Sequence, residues 1–339
     1  MNRSALDAAR TGDEQAFREL TAPHVRGLHV HCYRMLGSVT DAEDILQEVL
    51  IAAWRGLDGF AGRSSVRTWL YRIATNRCLN AIRDGKRRKP PEPIPPFDPP
   101  EPTRRGELTW LQPYADSWLE ESGSSEHDPA ARYRSREAIE LAFVSALQRL
   151  PPRQTAALLL CDVLGYSTAE AADLLDTTAT AAKGILQRAR ASVDGSRPPD
   201  GHSAASAGER SAGDQALARR FADALMADDI DAVVALLSDD AWLAMPPAPH
   251  QYHGPRAIAS FFRASARWRD AGALRLIATR ANNQPAFGMY LAGPGSAVAY
   301  PTGMLVLTIR GNQVTAITRF LDQRLPGTFG LPALVPRQE

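Results

Sequence analysis

Arg72, Asn76, Asn80 and Arg83 have the types and spacing that a nucleic acid requires of a protein surface. On a helix turning about 100° per residue they fall within about 80° of one another. Arginine offers a guanidinium to phosphate, and asparagine a donor and an acceptor to a base edge. Val66, Leu70, Ile73, Ala74, Cys78 and Ala81 fill the opposite arc, so the polar stripe has an apolar back. Trp69 stands at the border, where an indole either joins the core or faces an unstacked base. A second basic helix opens at Thr178 and carries Lys183, Gln187, Arg188 and Arg190. The chemistry offered by both sets is recognition rather than bond-making.

The elements that position these residues follow from periodicity. Ahead of the stripe, Ala42, Ile45, Leu46, Val49 and Ala53 recur at three- and four-residue spacing and leave Glu43, Asp44, Gln47 and Glu48 outward. Thr40 and Glu43 read as the capping box of that helix, worth about 1 kcal/mol. On spacing alone the acidic face is either solvated or a partner surface. Gly56, Gly59 and Gly62 then break the helix, and the next starts at Ser64 or Ser65. An earlier helical layer holds Leu6, Ala9, Phe17, Leu20 and Val25, punctuated by Gly12 and Pro23. His29 and His31, two apart on a helix, point to different faces, so packing is a better reading than a metal site. Further on, Ser167 with Glu170 makes a second capping box, Asp176-Thr177 a tight turn, and Thr178 caps the basic helix. Helix, short turn, basic helix is the helix-turn-helix pattern; a plain three-helix bundle is the alternative.

The chain has 339 residues, which suggests two or three units. Its 44% hydrophobic and 23% charged residues are those of a globular protein, not of a disordered one. The formal net charge of +1 conceals a basic stretch from Arg63 to Arg105, which favours a polyanionic partner for that segment alone. Cys32, Cys78 and Cys161 form no CxxC pair, so neither a disulfide framework nor a zinc site is expected, and a reducing cytoplasm fits. No signal peptide and no membrane span are read from the sequence. Pro90 to Pro102 should be an extended linker entered through Lys86-Arg87-Arg88-Lys89, and the aromatic island Trp110 to Trp118 should dock on something. Helix resumes near Pro129, and residues 194–213, rich in Ser, Gly and Ala, read as a second linker. Beyond it, helices at 214–227 and 230–237, a strand at 241–245, a helix after Gly254-Pro255 and strands at 274–279, 286–291, 303–309 and 314–322 make an α+β unit. Gly311-Asn312 marks a hairpin.

These residues carry a resemblance. "VTDAEDILQEVLIAAWRGL" and "FAGRSSVRTWLYRIATNRCLNAIRD" resemble the second domain of extracytoplasmic-function sigma factors, and "LPPRQTAALLLCDVLGYSTAEAADLLDTTATAAKGILQRAR" resembles their fourth. The two motif sets cover roughly half of the chain. The C-terminal unit, with "YHGPRAIASFF" and its last strand pair, is similar to SnoaL-like cones of the nuclear transport factor 2 superfamily. "WLQPYADSWLEE" resembles a motif of one branch of sigma factors with such a tail. The implied fold is multidomain, with two all-α domains that bind polymerase and DNA, and an α+β cone. Its expected parts are domain 2 at 1–84, linker 85–128, domain 4 at 129–193, linker 194–213, cone 214–325 and tail 326–339.

The resemblance also implies roles. Asp44, Gln47 and Glu48 would bind the clamp helices of core RNA polymerase. Phe60, Arg63, Ser64 and Ser65, with Arg72, Asn76, Asn80 and Arg83, would hold the opened −10 element of promoter DNA. Thr178, Thr180, Lys183, Gln187, Arg188 and Arg190 would read the −35 element. Trp242, Tyr252, Phe262, Arg319 and Asp322 would line a pocket in the cone, open to a small-molecule ligand, with no cofactor, metal or catalytic residue expected. Asp176 stands where relatives often have glycine, and Ile185 where many have a basic residue, which weakens the expected −35 contact. Two other functions are weighed. A ligand-responsive helix-turn-helix repressor or activator would leave the polymerase-binding helix and the single-strand stripe without purpose. A cyclase- or isomerase-type enzyme would draw on His250, His253, Arg319 and Asp322, which form no diagnostic acid-base pair.

Overall fold

Apolar residues at helical spacing draw the N-terminal segment into α1 (Arg3–Arg10), α2 (Glu14–Leu36), α3 (Val39–Gly56) and α4 (Val66–Arg83). The computed structural model describes residues 3–85, 95–106, 111–120, 139–194, 207–270 and 272–337. They divide into one unit of residues 1–89 with 118–197 and another of 90–117 with 198–339. The basic run Lys86–Lys89, Trp110, the helix start expected near Pro129 and most of the second linker lie outside the described residues. No helix among the described residues is long and apolar enough to cross a membrane.

In the first unit α2 is the central element, packed against α1, α3 and α4. It runs unbroken through Pro23, where a break was expected. A proline removes one backbone hydrogen bond, and the burial of Phe17 and Leu28 on either side holds the helix together across it. Gly37, at φ 73, ends α2 in the left-handed conformation. Only Ser38 then separates α2 from α3, and its side chain accepts from the Asp41 N–H at 3.0 Å. The cap of α3 is therefore Ser38, not Thr40, which already lies inside the helix. His31 is buried between α2 and α4, with Nε2 2.9 Å from the Thr75 hydroxyl and its ring against Tyr71. Both histidines serve packing, and no group of three metal-binding side chains occurs among the described residues.

Later in this unit, after a helix at Leu141–Arg149, comes the expected helix-turn-helix. A helix at Pro152–Leu158 runs into a π turn at Leu159–Val163; Thr168–Leu174 and Ala179–Asp194 follow. The capping box is formed in full: Glu170 accepts from the Ser167 N–H at 2.8 Å, and Ser167 from the Glu170 N–H at 3.2 Å. Asp176 takes the turn at φ 48, the left-handed conformation that glycine adopts without strain.

The second unit is an eight-stranded sheet with strand order β1-β3-β2-β7-β6-β5-β4, in which β8 pairs with β6. The strands are β1 (Arg104–Arg105), β2 (Leu237–Ala244), β3 (His250–His253), β4 (Ala273–Ala281), β5 (Gln284–Ala292), β6 (Val298–Arg310), β7 (Gln313–Phe320) and β8 (Val335–Pro336). Every pairing is antiparallel except β2 with β7. Leu243, Leu276, Phe287, Leu305 and Ile317 from the sheet meet Phe221 and Leu225 of helix Ala207–Met226 and Ile258, Phe261 and Phe262 of helix Pro255–Arg269. Gly303, at φ 147, lets β6 pass Phe320 so closely that a Cβ would collide with the Phe320 carbonyl.

Several expectations change here. The first helix starts at Ala207, inside the stretch read as flexible, and Leu237 begins a strand rather than ending a helix. The β4–β5 hairpin turns on Asn282 and Asn283, both at positive φ, a turn the composition did not announce. The chief correction concerns the linker. Pro90 to Pro102 was expected to be a plain extended linker, yet residues 95–106 lie on the cone, and so do residues 111–117 of the aromatic island expected to dock. Arg104 and Arg105 pair with Gln251 and His250, the Tyr114 and Asn282 backbones and side chain exchange bonds of 2.8–2.9 Å, and Asp116 pairs with Arg280 at 3.0 Å.

Burial pulls the His31 pKa down to about 3, and the charge of Arg34 acts the same way; burial takes His29 to about 4. Unfolded histidine binds a proton below about pH 6.5, so the contribution of His31 is whole above that pH and is lost as pH falls toward 3. At pH 4.5 the loss is about 2–3 kcal/mol for His31. Amide hydrogen exchange in α2 and α4 of the full chain should quicken accordingly between pH 7 and 4.5, after correction for intrinsic rates, and His31→Gln should flatten the trend.

Candidate nucleic-acid interface

The stripe on α4 is placed by what the helix buries. Val66, Leu70, Ala74, Cys78 and Ala81 are all buried, at successive steps of four, four, four and three residues. The side chain of Ser65 caps the helix by accepting from the Thr68 N–H at 3.0 Å. Arg72, Asn80 and Arg83 are consequently exposed, and Asn76 is half-buried. Arg63, Ser64 and Ser65 are exposed in the preceding turn. Phe60 is not: it is 4% exposed and stacks at 4.8 Å on the half-buried Trp69, so it fixes the turn instead of offering a free ring to a base.

Two members of the stripe's neighbourhood are occupied within the unit. Arg72 forms an ion pair with Asp176, in the turn of the helix-turn-helix. Arg67, which the sequence marked only as part of a basic stretch, stacks over Tyr71 and Tyr166, 5.4 and 5.6 Å from their ring centres. Arg67 lies one helical turn before Tyr71, a spacing that could have flagged the contact. Burial raises the Tyr71 pKa to about 12 and pushes that of Tyr166 upward, so both rings remain neutral partners for the guanidinium.

The acidic face of α3 is less free than its spacing suggests. Glu43, Asp44 and Gln47 are exposed, whereas Glu48 is half-buried and lies 3.7 Å from Arg77 of α4. In the helix-turn-helix, Thr178 caps helix Ala179–Asp194 by accepting from the Ala181 N–H at 3.2 Å. Thr180, Lys183 and Gln187 are exposed and fall within about 60° on the helix wheel. Arg188 is exposed about 80° from Thr180. Arg190 donates two hydrogen bonds to the Asp162 carboxylate, at 3.0 and 2.6 Å, and so braces the helix instead of presenting a free cation.

The five pocket residues of the cone separate. Strand register puts Tyr252 beside Leu243 and Arg319 beside Leu305, on the face covered by helix Pro255–Arg269, which also carries Phe262 inward. Trp242 alternates to the opposite face, opposite His253 and Ala316. Asp322 lies just past β7 and is turned to Arg324 at 2.7 and 2.9 Å, a pairing that lowers its pKa. His250 and His253 belong to the β3 edge; burial and the charge of Arg104 lower the pKa of His253.

Comparison with known proteins follows this geometry. The Sigma-70 region 2 family matches residues 20–88, the Sigma-70, region 4 family residues 140–193, and the SnoaL-like domain family residues 218–317. The chain is 42% identical over 329 residues to the ECF RNA polymerase sigma factor SigG of Mycobacterium tuberculosis (strain CDC 1551 / Oshkosh), covering 95% of this chain and 85% of that protein. It is 30% identical over 190 residues to the sigma factor SigM of Mycobacterium tuberculosis (strain ATCC 35801 / TMC 107 / Erdman), covering 56% and 81%. The crystal structure of the Mycobacterium tuberculosis extracytoplasmic function sigma factor SigJ shares the fold at a TM-score of 0.57 and 22% identity, over 93% of this chain and 99% of that one.

The Arg72–Asp176 pair is exposed, and such pairs are worth about 0–1 kcal/mol. Asp176 at positive φ costs a comparable amount relative to glycine. Asp176→Gly should therefore leave the unfolding free energy of the helical unit unchanged or raised, while Arg72→Ala lowers it by less than about 1 kcal/mol. Urea titration followed by circular dichroism measures both.

Proposed function

The chain belongs to the extracytoplasmic-function sigma factors, and from that premise we propose how its surfaces divide the work of binding core RNA polymerase and directing promoter-specific initiation. Asp44, Gln47 and Glu48 on α3 meet the polymerase clamp, with the pair between Glu48 and Arg77 opening on contact. Arg63, Ser64, Ser65, Arg72, Asn76, Asn80 and Arg83 hold the opened −10 strand, and Phe60 keeps their turn in shape. Thr180, Lys183, Gln187 and Arg188 read the −35 element, with Thr178 as cap and Arg190 as brace. The observation that carries this reading is that α3 and α4 bury their apolar arcs and leave an acidic set and an arginine–amide set on the outside.

Two further parts complete the proposal. The ties of Arg72 to Asp176 and of Arg67 to Tyr166 define a resting form of the helical unit, which opens when polymerase and promoter take over those arginines. Two promoter elements separated along a duplex are not reached by surfaces that touch each other. The cone works in the cytoplasm as a binding module without catalysis: it receives a small molecule and controls how firmly residues 95–117 are held. The pairing of Arg104 and Arg105 with β3, and of Asp116 with Arg280, supports that reading. The cone's former enzyme candidates also have other employment, since Asp322 serves Arg324 and His253 bonds Gln251 at 3.1 Å.

Replacing Asp44 and Glu48 together by lysine should weaken binding to core polymerase at least tenfold, about 1.4 kcal/mol, with the fold intact. Losing the exposed Glu48–Arg77 pair costs at most about 1 kcal/mol. Fluorescence titration with core enzyme and run-off transcription on a promoter library check this; wild-type affinity in the double variant would sink the assignment. Deleting the chain after Ser196 should change the yield of promoter-dependent transcripts without abolishing them, and an unaltered yield would argue against control by the cone.

A further inference from the structure

The cone holds a buried positive charge for which the described residues supply no counterion. Arg319 projects from β7 onto the helix-covered face, beside Leu305, and is only 7% exposed. Its Nε is fully enclosed and has no hydrogen-bond partner, and no described residue forms an ion pair with its guanidinium. Its polar company is the ring of Phe261, whose centre lies 5.3 Å from Cζ. Another cation, Arg269, also acts on it. Burial lowers the pKa of Arg319 to about 10, and Arg269 pushes it the same way. Arg269 is itself committed, donating to Asp228 and, at 3.1 Å, to the Ser265 hydroxyl.

Among the described arginines of the same unit, Arg263, Arg280 and Arg324 face Asp231, Asp116 and Asp322. Arg275 also has an enclosed Nε without a partner, but it is only half-buried, whereas Arg319 is buried. Asp322, three residues beyond Arg319, is turned to Arg324 instead. Glu101 of the linker acts on the Tyr252 hydroxyl. A buried guanidinium without an anion is strongly unfavourable, and a ring face offsets only part of the cost. No described residue supplies that compensation.

The surroundings say what else such a visitor would meet. Tyr252 and Phe261 lie 4.9 Å apart, and Phe97 of the linker packs on Phe261 at 5.3 Å and on Trp268 at 6.2 Å. The Tyr252 hydroxyl donates to the Pro100 carbonyl at 2.9 Å. The linker thus rests on the same aromatic cluster that flanks Arg319.

We propose that the cone is a receptor for a small organic carboxylate, whose anionic end pairs with Arg319 and whose apolar body packs on Phe261 in competition with Phe97. This rests on the reading of the cone as a small-molecule module and gives that module its ligand class. An incoming acid neutralises Arg319 and loosens residues 97–100, which is how occupancy reaches the linker.

The full-length protein is titrated calorimetrically with straight-chain carboxylates from butanoate to dodecanoate, with benzoate and 1-naphthoate, and with the matching primary amides. At least one acid should bind ten or more times more tightly than its amide, and Arg319→Met should erase that preference. Arg319→Met should also raise the thermal midpoint of the unliganded protein, because methionine keeps the apolar stem and removes the unpaired charge; a purely structural arginine would lower it. Phe97→Ala should tighten acid binding several-fold. Amides binding as well as acids, or acids binding equally to the Arg319→Met variant, would overturn the anion site while leaving a ligand-binding cone. No binding by any probe, with a lowered midpoint in Arg319→Met, would overturn both. Run-off transcription with core polymerase tests the sigma-factor assignment independently of either result.

Discussion

An α-helix has one circumference, and α4 spends more than a third of it on burial. The arc from Val66 through Leu70, Ala74 and Cys78 to Ala81 packs into α2 and α3, and Thr75 reaches the buried His31 from the same side. That commitment leaves a single arc for function. Rotating α4 by one residue would carry a buried contact into water and a charged group into the core, at a cost of several kcal/mol. The arginine–amide stripe is therefore held in place by residues on the opposite, buried arc. The same logic orders α3, whose Ala42, Ile45, Val49 and Ala53 are buried and whose acidic side chains are left over.

The arginines of the helical unit show how much depends on what stands opposite a charge. Arg72, Arg83 and Arg190 were alike in sequence terms, basic residues on helices. Arg72 faces Asp176 across the unit, and Arg190 is braced by Asp162. Arg83 bonds its own neighbour, Asp84, at 3.0 Å. Exposed pairs of this kind are weak, so they guide arrangement more than they add stability. A polyanion that offers several phosphates at once can displace them.

In the cone, an open sheet edge governs the linker. β3 is a four-residue strand whose outer side would present unpaired backbone groups, and such edges attract other strands. Arg104 and Arg105 occupy it, while Tyr114 to Asp116 fasten to the β4–β5 turn. A proline-rich segment cannot form its own sheet, yet it can lend two residues to one. The linker and the cone thereby become one body in the stretches described.

Much of this was legible in the sequence, because the relevant signals are local. Periodicity gave α3, α4 and the helix-turn-helix, and capping chemistry gave Ser65, Ser167 with Glu170 and Thr178, since each involves residues within four positions of one another. Motif order gave the family, and the Gly311-Asn312 hairpin announced itself by composition. The misplaced cap at Thr40 was a near miss of two positions, settled by where Gly37 ended the preceding helix. What the sequence could not supply were pairings across long separations. Asp176 with Arg72, Arg104 with Gln251, Phe97 with Phe261, and the lack of an ion pair from any described acid to Arg319 have no sequence period. Side-chain partnership at a distance is decided only when the chain closes on itself, because burial and charge compensation belong to the packed interior and not to any one segment.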